Sequence, residues 1–179
     1  MTNAEFAILS LIGEKDRYGY EIEQTIEARG MREWTEIGFS SIYYILKKLL
    51  KSGNIQCRFE ESQGKGPGRK VYSITKVGSQ TLIQCTLDNL SHPRVSSSSF
   101  LLGLSNTPVI PRDHLIDSLK NYALDLTERY DRLSKRAEQQ GTLPKHVEAM
   151  IDYSLCLIMA EATWISNFLR QVEEGDVED

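Results

Sequence analysis

SSIYYILKKLLKSG (residues 40–53), NIQCRFEES (54–62), QGKGPGRK (63–70) and VYSITK (71–76) form the stretch that decides the fold. Ile42, Ile45, Leu46, Leu49 and Leu50 follow the i, i+3, i+4, i+7 spacing of an amphipathic helix, and Gly53 closes it. The pattern then predicts a strand, a glycine-rich turn and a return strand, with Thr75 placed to cap a further helix. Helix, strand, wing, strand is the order of a winged helix-turn-helix.

The charge fits that order. Residues 39–76 carry eight Lys/Arg (Lys47, Lys48, Lys51, Arg58, Lys65, Arg69, Lys70 and Lys76) against Glu60 and Glu61, in a chain whose formal net charge is −4. Residues 1–38 hold four basic and eight acidic side chains, and residues 91–179 hold nine and fourteen. Positive charge confined to one segment is the distribution of a single face that approaches phosphates. A solvated lysine-rich helix face is the alternative that charge alone leaves open.

The length of 179 residues leaves room for two small domains, and 40% hydrophobic with 26% charged residues excludes a disordered, collagenous or disulfide-scaffold chain. Cys57, Cys85 and Cys156 are odd in number and lack metal spacing, so they read as reduced, mostly buried thiols. MTNAEFAILSLIGEKDRYG has no basic leader, and no apolar run approaches the roughly 18 residues of a membrane span. The expected compartment is the cytoplasm, with no membrane partner.

From the N-terminus, Asn3 is placed to cap a helix with a nearly continuous apolar set, Phe6, Ile8, Leu9, Leu11 and Ile12, which Gly13 ends. After the charged turn GEKDR a second helix puts Tyr18, Ile22 and Ile26 on one face and stops at Gly30, and the following loop uses Trp34 and Ile37 to pack the connection. The helix from Ser40 presents Ser40, Tyr44, Lys47, Lys48 and Lys51 outward. Tyr43 stands at the edge between its faces. Gly64, Gly66, Pro67 and Gly68 build the wing turn, lined by Lys65, Arg69 and Lys70; the spacing is neither GxGxxG nor Walker, and a strand follows, which disfavours a nucleotide loop. The helix from Thr75 to about Leu90 has Val77, Leu82, Cys85 and Leu90 as inner positions.

SHPRVSSSS is the clearest composition break. The domain expectation is therefore a winged helix-turn-helix over 1–90, a linker and short apolar segment (Phe100, Leu101, Leu102, Leu104) over 91–110, and an antiparallel helical hairpin over 111–179. Leu115, Leu119, Tyr122, Leu126, Leu133 and Ala137 mark the first hairpin helix. The second, from about Lys145 to Val172, carries one stripe through Val147, Ile151, Ser154, Ile158, Ala162, Ile165, Leu169 and Val172, and another through Met150, Leu157 and Trp164. Two apolar stripes exceed what one partner helix hides, so this segment is expected to dimerise. The alternative is that the second stripe packs on residues 100–104 or on the first domain.

His92, His114 and His146 are scattered without ligand spacing, and no HExxH or GxSxG motif is present. The reading is a non-enzyme without metal or cofactor.

AILSLIGEKDRYGYEI, SSIYYILKKLLKSGNI and GRKVYSITKVGSQTL, in that order and spacing, resemble the PadR-like transcriptional regulators. The resemblance implies a homodimer whose winged helix-turn-helix binds a two-fold-related operator, a C-terminal helical dimerisation domain, and usually repression relieved by a small molecule. It also makes Tyr43 the helix-three tyrosine and Arg69 the wing arginine, with Tyr72 and Thr75 as structural matches. Tyr44 departs from the family's usual proline, so operator preference does not transfer.

The combined expectation is a mostly α chain with a small β-hairpin, acting as a sequence-specific repressor on double-stranded palindromic DNA. Ser40, Ser41, Tyr43, Tyr44 and Lys47 approach the major groove, and Lys48, Lys51, Lys65, Arg69 and Lys70 neutralise phosphates. Met150, Leu157, Ile158, Trp164, Ile165 and Phe168 are the dimerisation set. Phe100, Trp164 and Phe168 are the candidates for an aromatic-lined pocket that takes a small aromatic or apolar effector, plain core being the alternative. A protein-binding adaptor that uses the winged fold without reading DNA is the rival function.

Overall fold

The computed structural model describes residues 1–33, 35, 37–38, 41–60, 68–92, 99–139 and 141–175, and contacts divide the chain into two compact units, Met1–Val95 and Ser96–Asp179. The first unit contains α1 (Asn3–Glu14), β1 (Arg17–Tyr18), α2 (Gly19–Ala28), a 3-10 turn (Met31–Glu33), α3 (Ser41–Lys51), β2 (Ile55–Glu60), β3 (Arg69–Ile74) and α4 (Lys76–Ser91). The second contains α5 (Ser99–Leu104), a 3-10 turn (Thr107–Val109), α6 (Arg112–Gln139) and α7 (Lys145–Glu174). This is the mostly helical architecture with a small antiparallel sheet that the sequence predicts.

Ile8, Leu9, Leu11 and Ile12 of α1 are fully buried together with Ile22, Ile26, Ile42, Leu46 and Leu49, so α1 is the centre about which α2 and α3 pack. The N-cap of α1 is Thr2 rather than Asn3: the Thr2 hydroxyl accepts from the Glu5 amide at 3.2 Å, and the Glu5 carboxylate accepts from the Thr2 amide at 3.1 Å. The helix also runs one residue past Gly13. Ile37 is buried as the sequence implies, whereas Trp34 lies outside the described residues.

The sheet has the order β1-β3-β2, all antiparallel, with Arg17 opposite Tyr72 and Tyr18 opposite Val71. Sequence pattern gave no sign of β1, because two residues inside a charged turn show no alternation. It is held from below by the buried Arg17, whose Nε donates to the Leu11 carbonyl at 2.8 Å, Nη1 to the Thr25 hydroxyl at 3.0 Å and Nη2 to Glu14 at 2.7 Å. Glu14 also pairs with Arg29 at 2.5 Å. The Arg29 hydrogen bond, helped by Arg17 and opposed by burial, holds the Glu14 carboxyl below the usual range.

Thr75 caps α4 as expected, accepting from the Gly78 amide at 3.0 Å, while its own hydroxyl donates to the Gly53 carbonyl at 2.6 Å. Leu82 packs on the core, but Val77 and Leu90, expected inside, are 55% and 82% exposed. Val77 stands in the first turn of α4 and Leu90 in the last, both outside the core cluster that Leu82 joins. Cys57 and Cys156 are likewise exposed rather than buried.

In the second unit α6 and α7 form an antiparallel hairpin with Leu119, Leu126, Ile158, Ile165 and Val172 at its core. At the end away from the turn, Arg112 Nε donates to the Val172 carbonyl at 2.8 Å and Nη2 to the Glu173 carbonyl at 2.6 Å, and Lys120 pairs with Glu173 at 2.8 Å. Arg112 thereby satisfies carbonyls that the end of α7 leaves open, and Lys120 ties the Glu173 carboxylate to α6. The segment read as linker and apolar cluster contains the short helix α5, with Phe100 turned inward and Leu101 and Leu102 outward.

Candidate nucleic-acid interface

Burial of Ile42, Ile45, Leu46 and Leu49 forces the opposite side of α3 outward, and Tyr43, Tyr44, Lys47 and Lys51 are all exposed there. Ser41 opens the helix with its hydroxyl donating to the Gly38 carbonyl at 2.7 Å. Ser40 and Lys65 lie outside the described residues, as does the wing tip, residues 61–67.

The cations are not equivalent. Lys48 is engaged by Glu5 of α1. Burial pushes the Glu5 carboxyl up, but its hydrogen bonds from Lys48 and Thr2 outweigh that and leave it below the usual range, while the same bond to Glu5 raises Lys48. Arg58 is drawn to Asp16 at 2.6 Å and Glu60 at 3.2 Å. Lys47, Lys51, Lys70 and Lys76 form no ion pair among the described residues. The surplus of charge counted along the sequence is thus smaller at the surface, and sits at the outer face of α3 and the wing.

Arg69 stands at the base of the wing with its guanidinium 5.5 Å from the ring centre of Tyr20 and Nη1 3.4 Å from the Tyr20 hydroxyl. Tyr20 in turn stacks on Tyr18 at 5.8 Å, and the Tyr18 hydroxyl donates to Glu60 of β2 at 2.6 Å. That bond first, then Arg58, keeps the Glu60 carboxyl low. Lys70 lies 5.9 Å from the ring centre of Phe59. The wing strands are therefore braced against α2 by the Tyr18–Tyr20 pair. The sequence reading places Tyr18 on the inner face of the second helix and makes Tyr20 a structural or backbone-contacting residue, without joining either to the wing.

Between the start of α2, α3 and the wing lies a cleft of about 310 Å³, lined by Tyr18, Gly19, Tyr20, Tyr43, Arg69, Lys70 and Tyr72. The Tyr43 ring lies against the α2 backbone: a Cβ on Gly19 would stand 3.0 Å from Tyr43 Cε1. Tyr43 thus packs with one edge and leaves the rest of its ring exposed.

In the second unit, Ile158 and Ile165, expected at a dimer interface, are buried in the hairpin of their own chain at 4% and 0% exposure. Their positions face α6, so that stripe is used internally. Met150, Leu157 and Trp164 do stand exposed on α7, and so does Tyr153, which fits the same spacing. Phe100, Trp164 and Phe168 meet: Phe100 and Trp164 are edge to face at 5.9 Å, and Trp164 and Phe168 stack at 5.0 Å. The neighbouring cavity, about 190 Å³, opens instead between Phe100, Leu104, Ile110, Leu115, Leu119 and Tyr122. Trp164 and Phe168 do not line it. Among the described residues no helix is long and apolar enough to cross a membrane.

Residues 8–84 match the family model described as the transcriptional regulator PadR-like family. An uncharacterised protein of Lysinibacillus sphaericus is 39% identical over 71 residues, which is 40% of this chain and 63% of that relative's length. Bacillus subtilis PadR in complex with operator DNA superposes with a TM-score of 0.75 at 22% identity, over 94% of this chain and 98% of the other. The same protein in complex with p-coumaric acid gives 0.76 at 20% identity, over 94% and 98%. A Streptococcus mutans UA159 protein, smu.1604c, is 25% identical with a TM-score of 0.68, over 95% and 99%. The superpositions extend the likeness in fold over both units, and the family match falls on the winged helix. Over residues 8–84, the winged-helix unit thus matches the PadR-like family of transcriptional regulators.

Proposed function

We propose that the chain is a cytoplasmic homodimer that binds a palindromic operator in double-stranded DNA and represses transcription until a small aromatic or apolar effector releases it. The observation that carries the reading is the outer face of α3, where Tyr43, Tyr44, Lys47 and Lys51 stand exposed and without ion-pair partners among the described residues, with Arg69 and Lys70 at the wing. A helix that offers hydroxyls and rings at its start and lysines later suits a groove followed by a backbone.

In this reading Ser40, Ser41, Tyr43, Tyr44 and Lys47 approach base edges, and Lys51, Lys65, Arg69 and Lys70 meet phosphates, with Lys48 a lesser contributor because Glu5 already holds it. Residues 1–90 form the DNA-binding domain, 91–110 the linker and apolar segment, and 111–179 the dimerisation domain. Its partner-facing residues are Met150, Tyr153, Leu157 and Trp164, exposed on α7. Bacillus subtilis PadR, of the same fold, has been crystallised with operator DNA and with p-coumaric acid, which supports both a DNA target and a planar effector. The effector's place is the aromatic cluster of Phe100, Trp164 and Phe168 or the cavity beside it.

Two-fold symmetry puts the two α3 helices about 34 Å apart, or a multiple of it, along the duplex. With some 6 to 10 phosphates neutralised per dimer, affinity falls about a thousandfold or more between 50 and 200 mM salt. Fluorescence anisotropy on duplexes recovered by crosslinking measures this, and a flat salt response sinks the proposal.

A further inference from the structure

One polar group in the tyrosine cleft has no use within the fold. Tyr72 of β3 is 6% exposed, with its ring in the core beside Ile55, and it lines the cleft. Its hydroxyl has no hydrogen-bond partner among the described residues, yet it is not among the buried unsatisfied atoms either, so the oxygen opens on the cleft. A nearly buried hydroxyl held without a protein partner leaves a donor aimed at whatever enters.

What surrounds that donor is cationic. Lys70 lies two positions away along the same face of β3, and Arg69 is held over Tyr20 at the rim. Glu60, the wing carboxylate among the described residues, already accepts from Tyr18 and Arg58. A phenolic donor at the floor and two cations at the mouth match an anion with several acceptor oxygens.

We propose that this cleft seats one backbone phosphodiester of duplex DNA per protomer, with the Tyr72 hydroxyl donating from the floor and Arg69 and Lys70 closing the rim. The seat rests on the DNA-binding reading above and adds to it a neutral donor outside the recognition helix. Burial first, then Cys57 and Tyr43, pushes the Tyr72 pKa up, so the O–H is retained as a donor throughout the neutral range. Tyr20 is a positioning residue, since it holds Arg69 rather than the phosphate.

The test compares full-length wild type, Tyr72→Phe and Arg69→Gln on two labelled duplexes of equal length, one recovered by crosslinking and one of random sequence. Tyr72→Phe is expected to keep the wild-type melting temperature, because its hydroxyl bonds to no described residue, and to weaken both duplexes by about tenfold or more at an unchanged salt slope. Arg69→Gln is expected to weaken both and to lower the slope by about two per dimer. Binding by Tyr72→Phe within twofold of wild type overturns the seat. A loss confined to the recovered duplex also overturns it, in favour of a base contact. Stronger weakening of wild type than of Tyr72→Phe by inorganic phosphate, with no difference between them on DNA in its absence, assigns the cleft to a free anion and overturns the duplex seat. Failure of wild type to bind either duplex refutes the DNA reading itself, a result distinct from failure of the seat.

Discussion

Three lysines share one helix, yet they should not count equally toward phosphates. Lys47 and Lys51 have no ion-pair partner among the described residues, whereas Lys48 is closed onto Glu5, a carboxylate fixed in turn by the Thr2 capping box. Replacing a lysine that neutralises one phosphate per protomer removes two contacts from a dimer, and so lowers the slope of log K against log salt by about 1.8. Across the fourfold change from 50 to 200 mM salt, that is about a twelvefold smaller loss of affinity. Lys47→Ala and Lys51→Ala should each show this change, and Lys48→Ala less than half of it. Glu5→Gln should make Lys48 available and raise low-salt affinity. Anisotropy titrations at four salt concentrations decide the matter. Equal slopes for all three alanine variants would refute the inference that the Glu5 pair withholds Lys48, and unchanged slopes for Lys47→Ala and Lys51→Ala would remove α3 from the interface.

Gly78→Ala should destabilise the first unit although Gly→Ala inside a helix ordinarily gains about 1 kcal/mol. The new Cβ would sit 1.9 Å from the Asn54 carbonyl oxygen, so a loss of about 2–4 kcal/mol and a melting drop of about 10 °C are expected by calorimetry, and an unchanged melting temperature contradicts the close approach. On α7, Met150→Ser with Leu157→Asp should leave the hairpin folded and shift the protein to monomer in light scattering, while Ile158→Ala should cost about 2–5 kcal/mol of unit stability. Persistence of the dimer in the double variant counts against the outer stripe. Tyr122 donates to Glu161 at 2.6 Å, and burial first, then that bond, pushes its pKa up to about 12. Its stabilising contribution is complete below the ordinary tyrosine pKa of about 10 and is lost as pH rises through about 12. Ultraviolet titration should lose its latest-titrating tyrosine in Tyr122→Phe, and identical late titration in the two proteins would contradict the buried pair.

Periodicity made the helices legible because each buries a stripe: Ile42, Ile45, Leu46 and Leu49 turn inward as their spacing requires, and so do Ile158 and Ile165. Which of two stripes faces a partner was not legible. Ile158 and Ile165 belong to the internal stripe, and spacing alone does not say that α6 is wide enough to cover them. The wing glycines and Thr75 announced the hairpin and the following cap through local chemistry. β1 escaped notice because Arg17 is held by Leu11, Thr25 and Glu14, contacts that converge only in three dimensions. The same holds for the candidate interface. Lys47 and Lys51 were visible as charge, but the Lys48 bond to Glu5 joins residues 43 positions apart, and the Tyr18, Tyr20 and Tyr72 cleft gathers residues with no shared sequence pattern.

Arg112 and Lys120 fasten the far end of the helical hairpin, opposite the turn that already joins α6 to α7. With both ends tied, sliding one rod past the other by a single turn, about 5.4 Å, would release every one of those links at once. Those links weigh against a one-turn slide of α7 along α6 and favour tilt or splay of the two helices instead.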